Sequence, residues 1–261
     1  MSDQCPTIYL GSILLEPNRW SEKREPSYNV SEWIERIRAA GFDGIELWEN
    51  HYYMADLAER TALESSAPFI DIFNSYTGFS AEFGESRRMT AEAVQKLQSK
   101  GVKFNIGNNP DDWDLYMETV LDWGDELPDG TRALCECHPD TLVETPEGAA
   151  KAFARWSDHR FEAIVHPFNN DESKLKAWFE ALGSRITHLH MQMREEENFE
   201  MLCRIEDRAE KARNAFKIMK DFGFKGTITV EFAKGTRTEN DTAEYLFENA
   251  CADLAFIREN W

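Results

Sequence analysis

Short apolar runs of strand length alternate with segments whose apolar residues recur at helical spacing, from one end of this chain to the other. Five of the runs lie at 7–15, 68–73, 133–138, 161–166 and 186–192. Three more follow a recurring junction in which glycine stops a helix and an apolar strand begins: Gly41-Phe42-Asp43-Gly44-Ile45-Glu46-Leu47-Trp48, Gly101-Val102-Lys103-Phe104-Asn105-Ile106-Gly107 and Gly223-Phe224-Lys225-Gly226-Thr227-Ile228-Thr229-Val230. In each, the first glycine suits the left-handed position of a Schellman ending. Between the runs, Ser31 is placed to cap a helix carrying Trp33, Ile34, Ile37 and Ala40. Thr145 and Pro146 open a helix over 147–156, and another is expected over 200–221. Eight βα units without a linker or low-complexity tract close most readily into one barrel. The expected fold is α/β, a single (β/α)8 TIM barrel over 7–261 behind a short tail at 1–6. A doubly wound open sheet is disfavoured because no Gly-x-Gly-x-x-Gly follows the first strand.

Composition narrows the partners. The chain has 261 residues, 29 Lys plus Arg and 48 Asp plus Glu, a formal balance of −19. Such a balance opposes nucleic-acid and anionic-membrane binding, which rely on clustered Lys and Arg. It suits a small-molecule substrate, and it neither requires nor rules out a homodimer. No stretch approaches the ~20 apolar residues of a membrane span. The polar residues 1–6 lack a signal-peptide core, so a cytoplasmic protein is expected. Five cysteines, an odd number, read as free thiols in a reducing compartment. A Cys135-x-Cys137 zinc site would need a second pair at ligand spacing, and there is none.

The late strands carry the chemistry. Strands send alternate side chains to opposite faces. Glu136 therefore shares a face with His138, and His188 with His190, while Cys135, Cys137, Leu189, Val230 and Phe232 point the other way. A face of Glu and His is costly to bury unless it converges on an ion or a wet pocket. Glu46, Glu136, His166, His190 and Glu231 all fall near the C-terminal ends of their strands, where barrels of this kind place their sites.

Several residues admit two readings. Glu46 could pair with an arginine. His138, just before Pro139, suits a loop-edge hydrogen bond as well as substrate contact. His188 lies deeper than His190 and reads as a supporting or substrate-facing group, whereas His51 and His159 read as solvent-exposed. Trp20, Trp48, Phe73 and Phe168 could line a pocket or fill the core. Lys234 and Arg237 could hold an anionic group, but solvated loop charges are commoner.

On these residues the chain resembles, over nearly its whole length, the xylose isomerase-like superfamily of barrels, the sugar phosphate isomerase/epimerase family that also includes the endonuclease IV relatives. The motifs are Gly41 to Trp48 at the second strand, Glu136-Cys137-His138-Pro139 at the fifth, His188-Leu189-His190 at the seventh and Val230-Glu231-Phe232 at the eighth. The resemblance implies one divalent metal held by Glu, Asp, His and Glu from successive late strands. By position these are Glu136, His166, His190 and Glu231, with His166 standing where the family has Asp. Imidazole is a competent ligand, and a shell of two carboxylates and two histidines is less anionic. That change favours manganese, then cobalt, zinc or iron, ahead of magnesium.

The function so implied is a metal-dependent isomerase or epimerase acting on a ketose-like sugar or polyol derivative. A proton is abstracted next to a metal-bound carbonyl, with Glu136 and Glu231 flanking the carbon. Glu46, Trp48, His138, His188 and Arg194 are the candidate substrate contacts. The alternatives are a metal-dependent dehydratase or lyase using the same enolate, and a non-catalytic sugar-binding barrel with a vestigial site. Phosphodiester cleavage would need two or three metals and a basic surface, which this chain lacks.

Overall fold

The computed structural model describes residues 5–261. Residues 1–4 of the expected tail lie outside the described residues. Eight parallel strands close the barrel: β1 (Thr7–Gly11), β2 (Gly44–Trp48), β3 (Ile70–Asn74), β4 (Gly101–Phe104), β5 (Arg132–Glu136), β6 (Phe161–Val165), β7 (Ile186–Met191) and β10 (Thr227–Val230). Each neighbours its sequential predecessor, and β10 closes against β1 through Thr7–Thr227 and Leu10–Val230. Between β7 and β10 a two-stranded antiparallel ribbon, β8 (Met193–Arg194) and β9 (Leu202–Cys203), stands over the C-terminal end.

The helices are α1 (Ile34–Ala40), α2 (Glu49–Tyr53), α3 (Leu57–Ser65), α4 (Gly84–Leu97), α5 (Trp113–Glu126), α6 (Pro146–Arg155), α7 (Glu172–Leu182), α8 (Ala209–Asp221) and α9 (Ala243–Asn260). Their buried faces, such as Ala149, Ala152 and Phe153 of α6, pack on the outward faces of the strands and form the main core. Inside the barrel, Tyr9, Ile72, Leu134 and Ile164 form a separate small cluster. No helix among the described residues is long and apolar enough to cross a membrane.

Local signals hold with specific exceptions. Thr145 caps α6 by accepting from the Gly148 amide at 3.1 Å. Ser31 caps nothing. It precedes α1 inside a 3-10 turn, and both its amide and its hydroxyl donate to the Glu59 carboxylate instead. Gly41 and Gly223 take left-handed φ of 97° and 74°, and Phe42 and Phe224 close the wider Schellman bonds to Ile37 and Met219. The third junction differs. Helix α4 ends earlier, Gln98 takes the left-handed position (φ 51°), and Ser99 closes back to Val94. Gly101 sits close to its neighbour strand, where a Cβ would meet the end of the Leu134 side chain at 3.0 Å.

The first strand stops at Gly11 and passes into a 3-10 turn over Ser12–Leu15. Likewise the helix expected over 200–221 starts only at Ala209, after β9 and a further 3-10 turn. All five cysteines are free, with Cys135 and Cys137 buried in the core. His159 is exposed, as expected, but His51 is only 2% exposed. Helix α2 folds over the barrel end and binds the His51 ring between Ser12 Oγ (2.9 Å) and Glu16 Oε2 (3.4 Å), a partnership invisible in its polar neighbourhood.

Candidate metal centre

Glu136 ends β5, His166 is the first residue past β6, His190 lies in β7 and Glu231 follows β10 directly. The barrel's register brings their side chains to one point: one ligand atom from each lies within 4.8 Å of the others, and all four residues are buried. His166 Nε2 is 2.9 Å from Glu136 Oε1, and His190 Nδ1 is 3.3 Å from Glu136 Oε1 and 3.4 Å from Glu231 Oε1.

A second acidic–imidazole group lies beneath. Glu46 Oε2 accepts from Thr229 Oγ1 (2.7 Å) and sits 3.1 Å from His190 Nε2 and 3.3 Å from His188 Nε2. Its other oxygen accepts from Asn74 Nδ2 at 2.7 Å. His188 is also bound by Thr227 at 2.7 Å and Thr229 at 3.0 Å. The polar side-chain atoms of Glu46 and His188 are thus all partnered within the protein, and none of Glu46, His188 and His190 is open to solvent.

The upper group is different. Its His190 Nδ1 and Glu231 Oε2 are buried and lack any hydrogen-bond partner. Burying such atoms unpaired costs about 1–3 kcal/mol each. A cation at the convergence of the four side chains would satisfy both, so the donors fit a divalent ion. Because Nε2 of His190 points at the Glu46 carboxylate, Nε2 keeps its hydrogen, and Nδ1 is the atom an ion would take in place of the proton that the surrounding carboxylates otherwise favour. Gln192 lies 3.1 Å from His166 Nδ1 and can present either its amide N–H or its oxygen, accommodating either tautomer of that ring.

Electrostatics at the site are dominated by burial and by one lysine. Burial alone would raise the Glu136 pKa, but Lys103, His166 and His190 hold it well below the usual carboxylate range. Burial likewise opposes ionisation of Glu46, and His190 and His188 outweigh it. For His190 burial favours the neutral ring, yet Glu46, Glu231 and Glu136 raise its pKa well above the ordinary value. His188 is instead pushed down to about 4 by burial.

Lys103 of β4 is the site residue that the strand-end search misses. It is 1% exposed, with Nζ 2.9 Å from Glu136 Oε2 and 2.6 Å from Asn105 Oδ1, and Asn105 Nδ2 donates to the same Glu136 oxygen at 2.9 Å. The signal was there: Gly101, Lys103 and Asn105 alternate with Val102 and Phe104, which marks a polar inward face. The ammonium also changes the charge balance. Glu136, Glu231 and Lys103 sum to one negative charge around the ion position rather than two.

The expected substrate contacts separate into two sets. Glu46 and His188 are enclosed beneath the four-residue cluster, and Trp48 is fully buried with Arg24 lying over its ring at 5.1 Å. None of the three faces the mouth, because the register places them one layer too deep or under a loop side chain. Phe73 and Phe168 are buried in the core as well. His138 and Arg194 do line the mouth. A cavity of about 590 Å³ there is bounded by Trp20, Arg24, Tyr76, Asn105, Glu136, His138 and Glu231, and a smaller one of about 140 Å³ beside it by His166, Gln192, Arg194, Glu231 and Arg237.

No family model matches the sequence, and no curated protein sequence matches it. Solved structures do match in fold. The probable 3-DHS dehydratase AsbF from Bacillus anthracis is similar over 95% of this chain and 97% of its own, with 13% identity and a TM-score of 0.71. D-psicose 3-epimerase from Clostridium cellulolyticum H10, solved with D-tagatose, is similar over 97% and 99%, with 13% identity and a TM-score of 0.71. A xylose isomerase-like TIM barrel protein from Mycobacterium smegmatis, solved in complex with magnesium, is similar over 98% and 97%, with 14% identity and a TM-score of 0.64. In fold, this chain is a (β/α)8 TIM barrel similar to these three proteins.

Proposed function

We propose that this protein is a divalent-metal-dependent isomerase or epimerase acting on a ketose-like sugar or polyol derivative. The observation that carries the reading is the convergence of Glu136, His166, His190 and Glu231 around two buried atoms without partners, at the floor of an open cavity. These four side chains would hold the ion, with Glu46 orienting His190 from below. A bound divalent ion supplies Lewis acidity there, polarising a carbonyl and acidifying the adjacent C–H.

The chain's own groups then divide the work. Glu231 lines the cavity, and whichever of its carboxylate oxygens the ion leaves free would be placed to take a carbon-bound proton. Glu136 lines the same cavity, with Lys103 and Asn105 fixing its Oε2. It is the second carboxylate available to return a proton to the other face of that carbon. Trp20 and Phe232, 5.5 Å apart at the rim, offer apolar faces to a sugar ring and help keep water out.

The test is solvent-deuterium incorporation into a panel of ketoses and ketose derivatives, combined with elemental analysis of the untreated protein. We expect one divalent ion per chain and deuterium at the carbon beside the carbonyl. Exchange should fall by about 10²-fold or more in Glu231→Gln and Glu136→Gln. Exchange retained in both variants would overturn the assignment. An unsaturated ketone absorbance in place of an isomer would make the protein a dehydratase. Absence of both metal and exchange would make the barrel a binding protein.

A further inference from the structure

Above the carboxylates, the mouth carries three arginines that form no ion pair with an acidic side chain, although Glu231 and Glu200 lie near enough to Arg194 to favour its charge. Arg24 donates from Nε to the Arg19 carbonyl (3.1 Å) and lies 4.6 Å over Tyr76. Arg194 donates to the Asn169 side-chain oxygen (3.2 Å) and the Phe199 carbonyl (2.8 Å). Arg237 lies 4.1 Å over Trp20, and only its backbone amide is engaged, with Asp241. Elsewhere Arg19 pairs with Asp241, Arg132 with Glu162, Arg208 with Glu196 and Arg258 with Asp43, while Arg60, Arg87, Arg185, Arg204 and Arg213 bond backbone or amide oxygens away from the mouth, so what marks the three is their gathering at one opening. Asp140 and Glu200 also border the two cavities, yet neither pairs with the three arginines.

Three guanidiniums without an ion pair around one opening are placed to meet an external acceptor. Lying over aromatic rings, Arg24 and Arg237 keep their terminal N–H groups free for a fork onto two oxygens, and Arg194 keeps Nη2 free beside its bonds to Asn169 and Phe199. Neutral hydroxyls would not require them, and in a chain of charge −19 an anionic ligand needs local cations to overcome the general repulsion. The backbone points to the same place. Four non-glycine residues take left-handed φ among the described residues, and three of them, Arg24 (51°), Asp140 (62°) and Arg237 (63°), border the mouth. Strained backbone of this kind clusters where a loop is held in a set geometry for a ligand.

We propose that the substrate carries an oxyanion, a carboxylate or a phosphate, at the end remote from the reacting carbon, and that Arg24, Arg194 and Arg237 hold it at the mouth. This rests on Glu136 and Glu231 marking the reacting end, but it can be tested without turnover.

The full chain is titrated calorimetrically, at one fixed ionic strength, with D-glucitol, D-gluconate and D-glucitol 6-phosphate. At least one anionic probe should bind about tenfold or more tightly than glucitol. Which one does so separates carboxylate from phosphate. Arg24→Met, Arg194→Met and Arg237→Met should each shrink that ratio, and the Lys substitutions should restore part of it. Equal affinities for the three probes, or a preference that survives all three Met variants, would overturn the proposal. The isomerase reading is tested separately by deuterium exchange on D-fructose and D-fructose 6-phosphate. An anion preference without exchange on either ketose sinks that reading and leaves the anion site standing. Exchange with equal affinities does the reverse.

Discussion

At the scale of single residues, alternation along a strand is sufficient to find Glu136, His166, His190 and Glu231, because period two and strand ends are both visible in the sequence. It is not sufficient to say what each side chain meets. Glu46 is legible as an inward carboxylate, but its partner His190 lies 144 residues away, so its supporting role appears only in three dimensions. Lys103 shows the same gap, since nothing local announces that its ammonium will meet Glu136. That pair leads to a prediction. Lys103→Met should destabilise the protein by about 3 kcal/mol in urea unfolding, because it strips a buried carboxylate of its ammonium partner. Adding Glu136→Gln should recover part of that loss, since no unpaired charge remains. Strictly additive effects of the two substitutions would show that the pair is not coupled.

At the scale of elements, the eight strands were legible because each is a short apolar run bounded by turn residues, α6 because of its Thr145 cap, and α1 from the spacing of its apolar residues alone. What the pattern did not contain was the close approach of strands. Gly226, just before β10, illustrates this. A Cβ there would lie 2.0 Å from the Thr187 carbonyl oxygen, a backbone atom that cannot rotate away. The β10–β7 register, which sets Thr229 beside His190, depends on that contact. Gly226→Ala should therefore cost about 3 kcal/mol and weaken binding of a divalent ion by displacing β10. Gly41→Ala, at a left-handed helix end with only the far end of Arg258 nearby, should cost about 1 kcal/mol and leave ion binding alone. Urea midpoints and metal titrations of the two variants check the contrast. Equal costs would mean that β10 relaxes freely around the added carbon.

At the scale of the whole molecule, the last helix ties the barrel shut. On α9, Asn249 accepts from Arg204 Nε at 2.7 Å, and Asp253 accepts from the Ile205 amide at 2.8 Å, so the segment after the ribbon is clamped to the chain's final helix. Asp253 is 1% exposed, and burial pushes its pKa from 3.8 up to about 7. Between those two values the folded protein keeps a proton that the unfolded chain has lost. Its contribution to stability is therefore complete below about pH 4 and lost as the pH rises to about 7. His188, held neutral down to about pH 4, works in the opposite direction, because across about pH 4 to 6.5 the unfolded chain takes a proton that the folded one refuses. The two effects oppose each other between about pH 4 and 6.5, so each is read most cleanly in a variant that lacks it. Asp253→Asn removes one side of the balance. Relative to the wild type, its unfolding free energy should rise between pH 4 and 7 by up to about 4 kcal/mol, at roughly 1.4 kcal/mol per pH unit, and then level off. Glu46 and Glu136, whose pKa values are depressed, add slope near the acid end of this range in variant and wild type alike, and so cancel in the difference. Their contribution is present above the ordinary carboxylate range and disappears only as the pH falls below it. A difference between variant and wild type that stays flat from pH 4 to 7 would show that Asp253 is ionised in the folded barrel, and that the clamp on α9 is a charged hydrogen bond.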